Sequence, residues 1–348
     1  MSTRDEKSIA IWLLVCCATI FGMVILGGVT RLTGSGLSMV QWAPIMGVLP
    51  PLGEAEWQET FALYQQFPEY QKKNMHMDLD GFKSIFWFEY AHRILGRLIG
   101  LLFFIPMVYF IVTKKVSKSL LPKLITMFIL GGLQGLMGWY MVKSGLVNNP
   151  HVSQYRLTAH LGLAFVVYAY LFWVAMGLLF PKSDETSSAI PNKVWLFSWL
   201  LLIFVFITAM SGGFVAGLKA GFAYNTFPLM AGQWIPDTIG VLDPAWINIF
   251  ENVATVQFQH RILAILVFIL IPIFWYLAIK ATSSPRLKIS IHLLLAMVII
   301  QVTLGISTLL LVVPVQLAAA HQAGALLLFT IMLFVTQQMS LHAKPAAV

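Results

Sequence analysis

Eight stretches of about 20 residues run almost free of charge through this chain, and that pattern leaves very few folds open to it. They fall near residues 9–29, 85–112, 121–142, 155–180, 194–216, 252–279, 288–312 and 314–338. A helix of that length crosses the hydrocarbon of a bilayer while satisfying its own backbone polar groups. The expected fold is therefore an all-α integral membrane protein with eight transmembrane helices. Composition agrees, with 59% apolar and 10% charged residues and a mean hydropathy of +0.81, values foreign to a soluble domain. The first stretch follows Arg4 and Lys7 as a signal peptide would. No small-residue cleavage site follows it, and Gly27, Gly28, Val29 and Thr30 lead straight into a patterned loop, so it is read as a membrane helix.

Charge sets the expected orientation, because short loops rich in Lys and Arg stay on the cytoplasmic side. Lys114, Lys115, Lys118 and Lys123 lie between the second and third stretches, Lys182 and Lys193 between the fourth and fifth, and Lys280, Arg286 and Lys288 between the sixth and seventh. Both termini are thus expected in the cytoplasm. The longest opposite segment, residues 30–84, carries Glu54, Glu56, Glu59, Glu69, Asp78 and Asp80. The formal net charge of +8 reflects this topology and gives no reason to expect nucleic acid as a partner.

Four histidines, His92, His160, His260 and His321, open the second, fourth, sixth and eighth stretches. All four stretches run in the same direction, so the rings share one depth toward the outer face. A polar ring in hydrocarbon is costly unless it meets a partner, a cavity or a metal, and two imidazoles from facing helices can hold a haem inside a bundle. The string HRIL stands at 92–95 and again at 260–263, so the chain reads as two copies of one unit, 1–183 and 184–348, each a four-helix bundle with one histidine pair. His76 and His151 in outer segments, His292 near an inner helix end and His342 in the tail lack the pattern and are read as non-ligands. Gly131, Gly132, Gly135 and Gly138 read first as small-residue helix packing, with clearance for a porphyrin edge as the alternative.

The copies differ beside the histidines. Glu89 stands one helical turn before His92 on the same face, where the second copy has Gln257. A carboxyl at one site and a neutral amide at the other suggest one reactive site and one carrier site, against the plainer reading of Glu89 as an ion-pair partner of Arg93 or Arg97. Arg93 and Arg261, each following its histidine, suit either a haem propionate or snorkelling to the interface.

The string FEYAHRILGR at 88–97 resembles the EYxHRxxGR signature of the haem A synthases. LTGSGLSMVQWAPIMGVLPP at 32–51, PEYQKKNMHM at 68–77, TAHLGLA at 158–164, FQHRILA at 258–264 and AAHQAGA at 319–325 extend the likeness to the mitochondrial and proteobacterial branch of that family along most of the chain. The resemblance implies conversion of haem O to haem A, by two successive hydroxylations of the C8 methyl group to a formyl group. It implies that His260 and His321 ligate the iron of a haem b cofactor with Arg261 beside it. His92 and His160 would serve the iron of the substrate haem, with Glu89 as the catalytic carboxylate. A haem O synthase (protohaem farnesyltransferase), an electron-transfer partner and membrane lipid would be its partners, in a bacterial inner membrane. Another branch carries a cysteine pair in the first outer loop. Here the only cysteines, Cys16 and Cys17, are adjacent in the first stretch, where a disulfide is implausible and both read as packing residues.

Two other functions fit the histidines. A dihaem b-type cytochrome passing electrons from quinol to an outer acceptor would use the same four ligands, but it gives no reason for Glu89. A haem or proton transporter would be expected to carry paired intramembrane acids and broken helices, which the sequence lacks.

Overall fold

The computed structural model describes residues 2–41, 48–146, 152–181 and 190–342. Among these residues there is no strand, and eight helices are long and apolar enough to cross a membrane. They are α1 (Thr3–Leu32), α3 (Leu79–Val112), α4 (Leu121–Gly145), α5 (Gln154–Leu179), α6 (Asn192–Gly217), α9 (Val253–Ala281), α10 (Pro285–Leu310) and α11 (Val315–His342). Each coincides with one of the expected stretches, α5, α9, α10 and α11 falling one or two residues short at one end. The remaining helices are short: α2 (Glu54–Gln65), a π-helical turn (Tyr70–Asn74), α7 (Ala220–Ala223), a 3₁₀ turn (Ala245–Ile247) and α8 (Asn248–Glu251). His151, Lys182 and residues 42–47 of the first outer segment lie outside the described residues.

Local capping decides where the two HRIL helices begin. The Asp78 carboxylate accepts from the Gly81 N–H at 2.9 Å, and the Asn252 side-chain oxygen accepts from the Thr255 N–H at 2.9 Å. Asp78 thereby starts α3 at Leu79, six residues ahead of the apolar run at 85, and its first two turns stand clear of the apolar span. Pro106 and Pro272 lie deep in α3 and α9 without ending them, as prolines do in membrane helices.

The chain separates into two compact units, residues 18–164 and residues 1–17 with 165–348. In the second, α6 packs on α9 and α11 while α10 packs on α9 and α11, closing a four-helix ring. In the first, α3 packs on α4, and α2 packs on α3. Polarity runs opposite to that of a soluble protein. Leu98, Leu101 and Ile105 on α3 and Ile265, Ile269 and Ile273 on α9 are exposed, as side chains facing lipid tails would be, whereas Glu89, Ser198, Gln257, Thr336 and Gln337 are buried.

The acidic segment before α3 is a folded cap. Trp57, Phe61 and Tyr64 recur at helical spacing along α2 and bury against the emergent start of α3 at Phe82, Ile85 and Phe86. Tyr64 stacks on Phe82 at 5.0 Å, and Trp57 meets Phe86 edge-on at 4.9 Å.

Candidate functional site

Each of the four expected histidines is half-buried, and each rests against a glycine of a neighbouring helix. A Cβ added at Gly27 would come within 3.2 Å of the His92 ring; at Gly138, 3.1 Å from His160; at Gly212, 3.3 Å from His260; at Gly305, 2.8 Å from His321. Any larger residue would displace the imidazole. The four glycines lie on α1, α4, α6 and α10, so the same contact recurs in both copies. Gln134 and Gln301 repeat too, each four residues before its glycine. Gln134 Nε2 donates to the His160 carbonyl at 3.1 Å, and Gln301 Nε2 donates to the His321 carbonyl at 3.0 Å. Gly131, Gly132 and Gly135 have nothing within 4 Å of an added Cβ, so the small-residue packing expected of that stripe is seen at Gly138 alone.

In the second unit the structure brings the expected pair together. The rings of His260 and His321 have centroids 6.4 Å apart, with planes at 89°. Two imidazoles bound to one metal, with N–metal bonds of about 2 Å on either side, place their centroids about 6 Å apart, so the pair has the spacing of a bis-imidazole site. The tautomer of His260 also suits a ligand. Ser211 Oγ donates to the Thr208 carbonyl at 2.7 Å and lies 2.8 Å from His260 Nδ1, so the hydroxyl proton is already committed. Nδ1–H is then the donor of that pair, and Nε2 keeps its lone pair for a metal. The corresponding position on α1 is Leu26, so His92 has no such hydroxyl. Two polar atoms next to His260 are buried without hydrogen-bond partners, Gln257 Oε1 and Arg261 Nε. A bound group with both donor and acceptor functions would satisfy them.

In the first unit His92 and His160 lie within electrostatic reach of each other, and Gln134 Nε2 is 3.4 Å from His160 Nε2. Glu89, 3% exposed, is held from four directions. Its Oε1 accepts from Arg93 Nη2 at 2.6 Å and Arg93 Nε at 3.1 Å; its Oε2 accepts from the Met39 N–H at 2.7 Å and Ser38 Oγ at 2.8 Å. The ion pair with Arg93 foreseen as the plainer alternative is therefore present, inside a larger cradle that fixes the carboxylate. Met39, Val40, Arg93, Trp139, Val142, Lys143 and Leu146 line a cavity of about 230 Å³ beside it.

The two arginines have a role that sequence reasoning missed. Arg93 Nη2 and Nη1 donate to the carbonyls of Met39 and Gln41 at 2.6 and 3.0 Å. Arg261 Nη2 donates to Tyr224 and Thr226 at 3.0 and 2.7 Å, and its Nη1 to Pro228 and Leu229 at 3.4 Å. Each ties the preceding outer segment to the helix that carries the histidine. Backbone carbonyls carry no residue identity, so no sequence pattern announces this. The repeated Gln-x-x-x-Gly of 134–138 and 301–305, by contrast, is readable once the halves are aligned.

Two of the other histidines lie at the surface. His76 is exposed, and His292 is exposed and takes the Trp275 indole N–H at 3.0 Å. Cys16 and Cys17 are buried and form no disulfide. Among the described residues no three His, Cys, Asp or Glu side chains cluster as a protein-only metal site.

Outside the membrane-spanning helices, burial raises the Glu69 carboxyl to about 7; Lys73 opposes the shift and Glu89 adds to it. The hydroxyl of fully buried Tyr64 is likewise pushed up, chiefly by burial, against the hydrogen bond from Asn74 and with contributions from Glu69, Glu89 and Tyr70.

A family model described as "Cytochrome oxidase assembly protein" matches residues 10–333. The chain is 57% identical over 334 residues to a protein of Nitrosospira multiformis named "Heme A synthase", covering 96% of this chain and 94% of that one. It is 54% identical to a "Heme A synthase" of Nitrosomonas eutropha, covering 97% and 95%, and 47% identical to one of Parvibaculum lavamentivorans, covering 93% and 92%.

Proposed function

The chain belongs to the haem A synthase family, and from that premise we propose that it oxidises the C8 methyl group of haem O to a formyl group by two successive hydroxylations and loss of water. Its place is in haem A biosynthesis for cytochrome oxidase assembly. The observation that carries the mechanistic reading is the difference between two histidine pairs built alike. One has a carboxylate cradled by four donors at the position where the other has an amide with an unpartnered oxygen.

The residues of the second unit fit a haem b. His260 and His321 would ligate its iron, while Arg261 Nε and Gln257 Oε1 supply a donor and an acceptor beside it. A haem held by these two histidines would supply electron transfer. Ser211 orients His260, and Gly212 and Gly305 give the rings their room.

The first pair serves the substrate. His92 and His160 position haem O through its iron, and the lack of an orienting hydroxyl on His92 suits a ligand that must let product go. Glu89 has both oxygens engaged, so it acts as a fixed negative charge that stabilises positive charge developing at the methyl carbon. Substrate chemistry therefore belongs to the half spanning 1–183 and the retained haem b to 184–348. By the lysine-rich segments, both termini are expected in the cytoplasm, with the protein in a bacterial inner membrane. A haem O synthase would supply the substrate, and a separate electron acceptor or donor would serve as redox partner.

Pigment analysis tests this. The protein is expressed in cells that also make the farnesyltransferase, and haems B, O, the hydroxylated intermediate and A are extracted and separated. Haem A that appears with the wild type and disappears with Glu89→Gln supports an enzyme. Unconverted haem O, with two haems B per chain, identifies a dihaem cytochrome.

A further inference from the structure

The cap over the first histidine pair holds a second carboxyl that the reading above does not use. Glu69, just ahead of the π-helical turn, is 7% exposed, and its Oε2 has no hydrogen-bond partner. A carboxyl in that setting sheds its charge readily, and its raised pKa of about 7 reflects burial first, then the opposing Lys73 and the reinforcing Glu89. Tyr64, buried in the middle of the cap, responds to both carboxyls. Of the charged and titratable groups, Lys73 from its own turn opposes the shift at Glu69, Glu89 from α3, ion-paired with Arg93, adds to it, and Tyr64 from α2 lies within electrostatic reach of Glu69. Gln71, Lys72 and Lys73 are exposed to water, whereas Phe82, Phe86 and Glu89 follow one another along a single face of α3. Glu69 thus directly precedes the water-exposed residues of the turn and lies within electrostatic reach of Glu89.

Every hydroxylation of the methyl carbon breaks a C–H bond, and protons must cross apolar walls to or from that site. Glu89 is poorly placed to carry them, since taking a proton means giving up one of its four donors. We propose that Glu69, working with the Tyr64 hydroxyl, is the proton-exchange group of the substrate site, passing protons between the Glu89 region and water at the cap surface. In each transfer the Glu69 O–H bond breaks, the proton moves to a neighbouring hydroxyl or water, and the carboxylate regains a proton from the opposite side. No electrons move, and charge is conserved. Glu69 is a positioning residue for protons and touches no substrate. The inference rests on the haem O-oxidising reading.

The test uses full-length protein in native membranes with its haem bound. Conversion of haem O to haem A is followed across the pH range around neutrality for wild type, Glu69→Gln, Glu69→Asp and Tyr64→Phe, and infrared pH-difference spectra are recorded for the same samples. The wild type is expected to show a break in rate near pH 7 and a carboxyl C=O band titrating there. Glu69→Gln should lose both and fall at least about tenfold in rate with normal haem b content, while Glu69→Asp restores the break. Tyr64→Phe should slow conversion and keep the infrared band. A Glu69→Gln enzyme with wild-type rate and profile overturns the inference. So does a wild-type spectrum with no carboxyl titrating near neutrality, and that arm decides even if Glu69→Gln fails to fold. A wild type that makes no haem A at all defeats the functional reading instead, and the infrared arm still decides on Glu69.

Discussion

A single methyl group is enough to separate the histidine-backing glycines from their neighbours. Gly305→Ala would place a carbon 2.8 Å from the His321 ring, so it should lower haem b content and disturb the low-spin spectrum. Gly131→Ala, with open space around it, should leave pigment unchanged and stabilise α4 by about 0.5–1 kcal/mol on helix propensity alone, read as a higher melting temperature. Replacing His260 or His321 by Ala removes one of the two proposed ligands and should strip haem b, measured as pyridine haemochrome. His92→Ala and His160→Ala should keep haem b and fail to oxidise haem O; like behaviour of all four would end the division of labour. Glu89→Gln is nearly isosteric and should keep protein level and haem b while haem A output falls by about two to three orders of magnitude. The histidines and Glu89 were legible in the sequence because polar side chains in hydrocarbon have few other uses. Their supports were not. Gly27 and Gly212 look like any membrane-helix glycine, and the Met39 N–H and the carbonyls held by Arg93 and Arg261 belong to the backbone.

The cap is the element the sequence hid most effectively. Its aromatic spacing, Trp57, Phe61 and Tyr64, is helical, but Glu54, Glu56 and Glu59 interleave it, and a reading tuned to apolar runs passes over a 12-residue amphipathic helix. The transmembrane helices were legible for the converse reason, since lipid permits no irregular backbone and so lets hydropathy speak alone. Phe82→Ala, at the centre of the cap, should cost about 3–5 kcal/mol locally and make the segment before α3 sensitive to limited proteolysis, with α9–α11 still protected. The cap should also respond to pH. Glu69 is raised to about 7, above its value in an unfolded chain, so the folded cap holds a proton the unfolded one has released. Stability from this group is full below the ordinary carboxylate range, declines as pH rises toward 7 and stays low above it. Glu69→Gln should flatten that decline in thermal melts of the detergent-solubilised protein.

Across the whole molecule, the lysine-rich segments predict that reporters fused to either terminus will be active in the cytoplasm and that cysteines introduced in the cap will be labelled only from the opposite side. Cytoplasmic labelling of the cap would reverse the assignment. The two copies share more than their helices, for in each the helix-opening histidine and the clamp on the preceding outer segment are consecutive residues, His92 with Arg93 and His260 with Arg261. That adjacency matters to anyone building chimaeras between relatives. An outer segment grafted alone arrives without the arginine it was fitted to, and a helix grafted alone brings an arginine to a segment whose carbonyls follow a different course. The segment and the histidine-bearing helix together form the smallest interchangeable part, so hybrids cut between α3 and α4 or between α9 and α10 should assemble, whereas hybrids cut just before His92 or His260 should not.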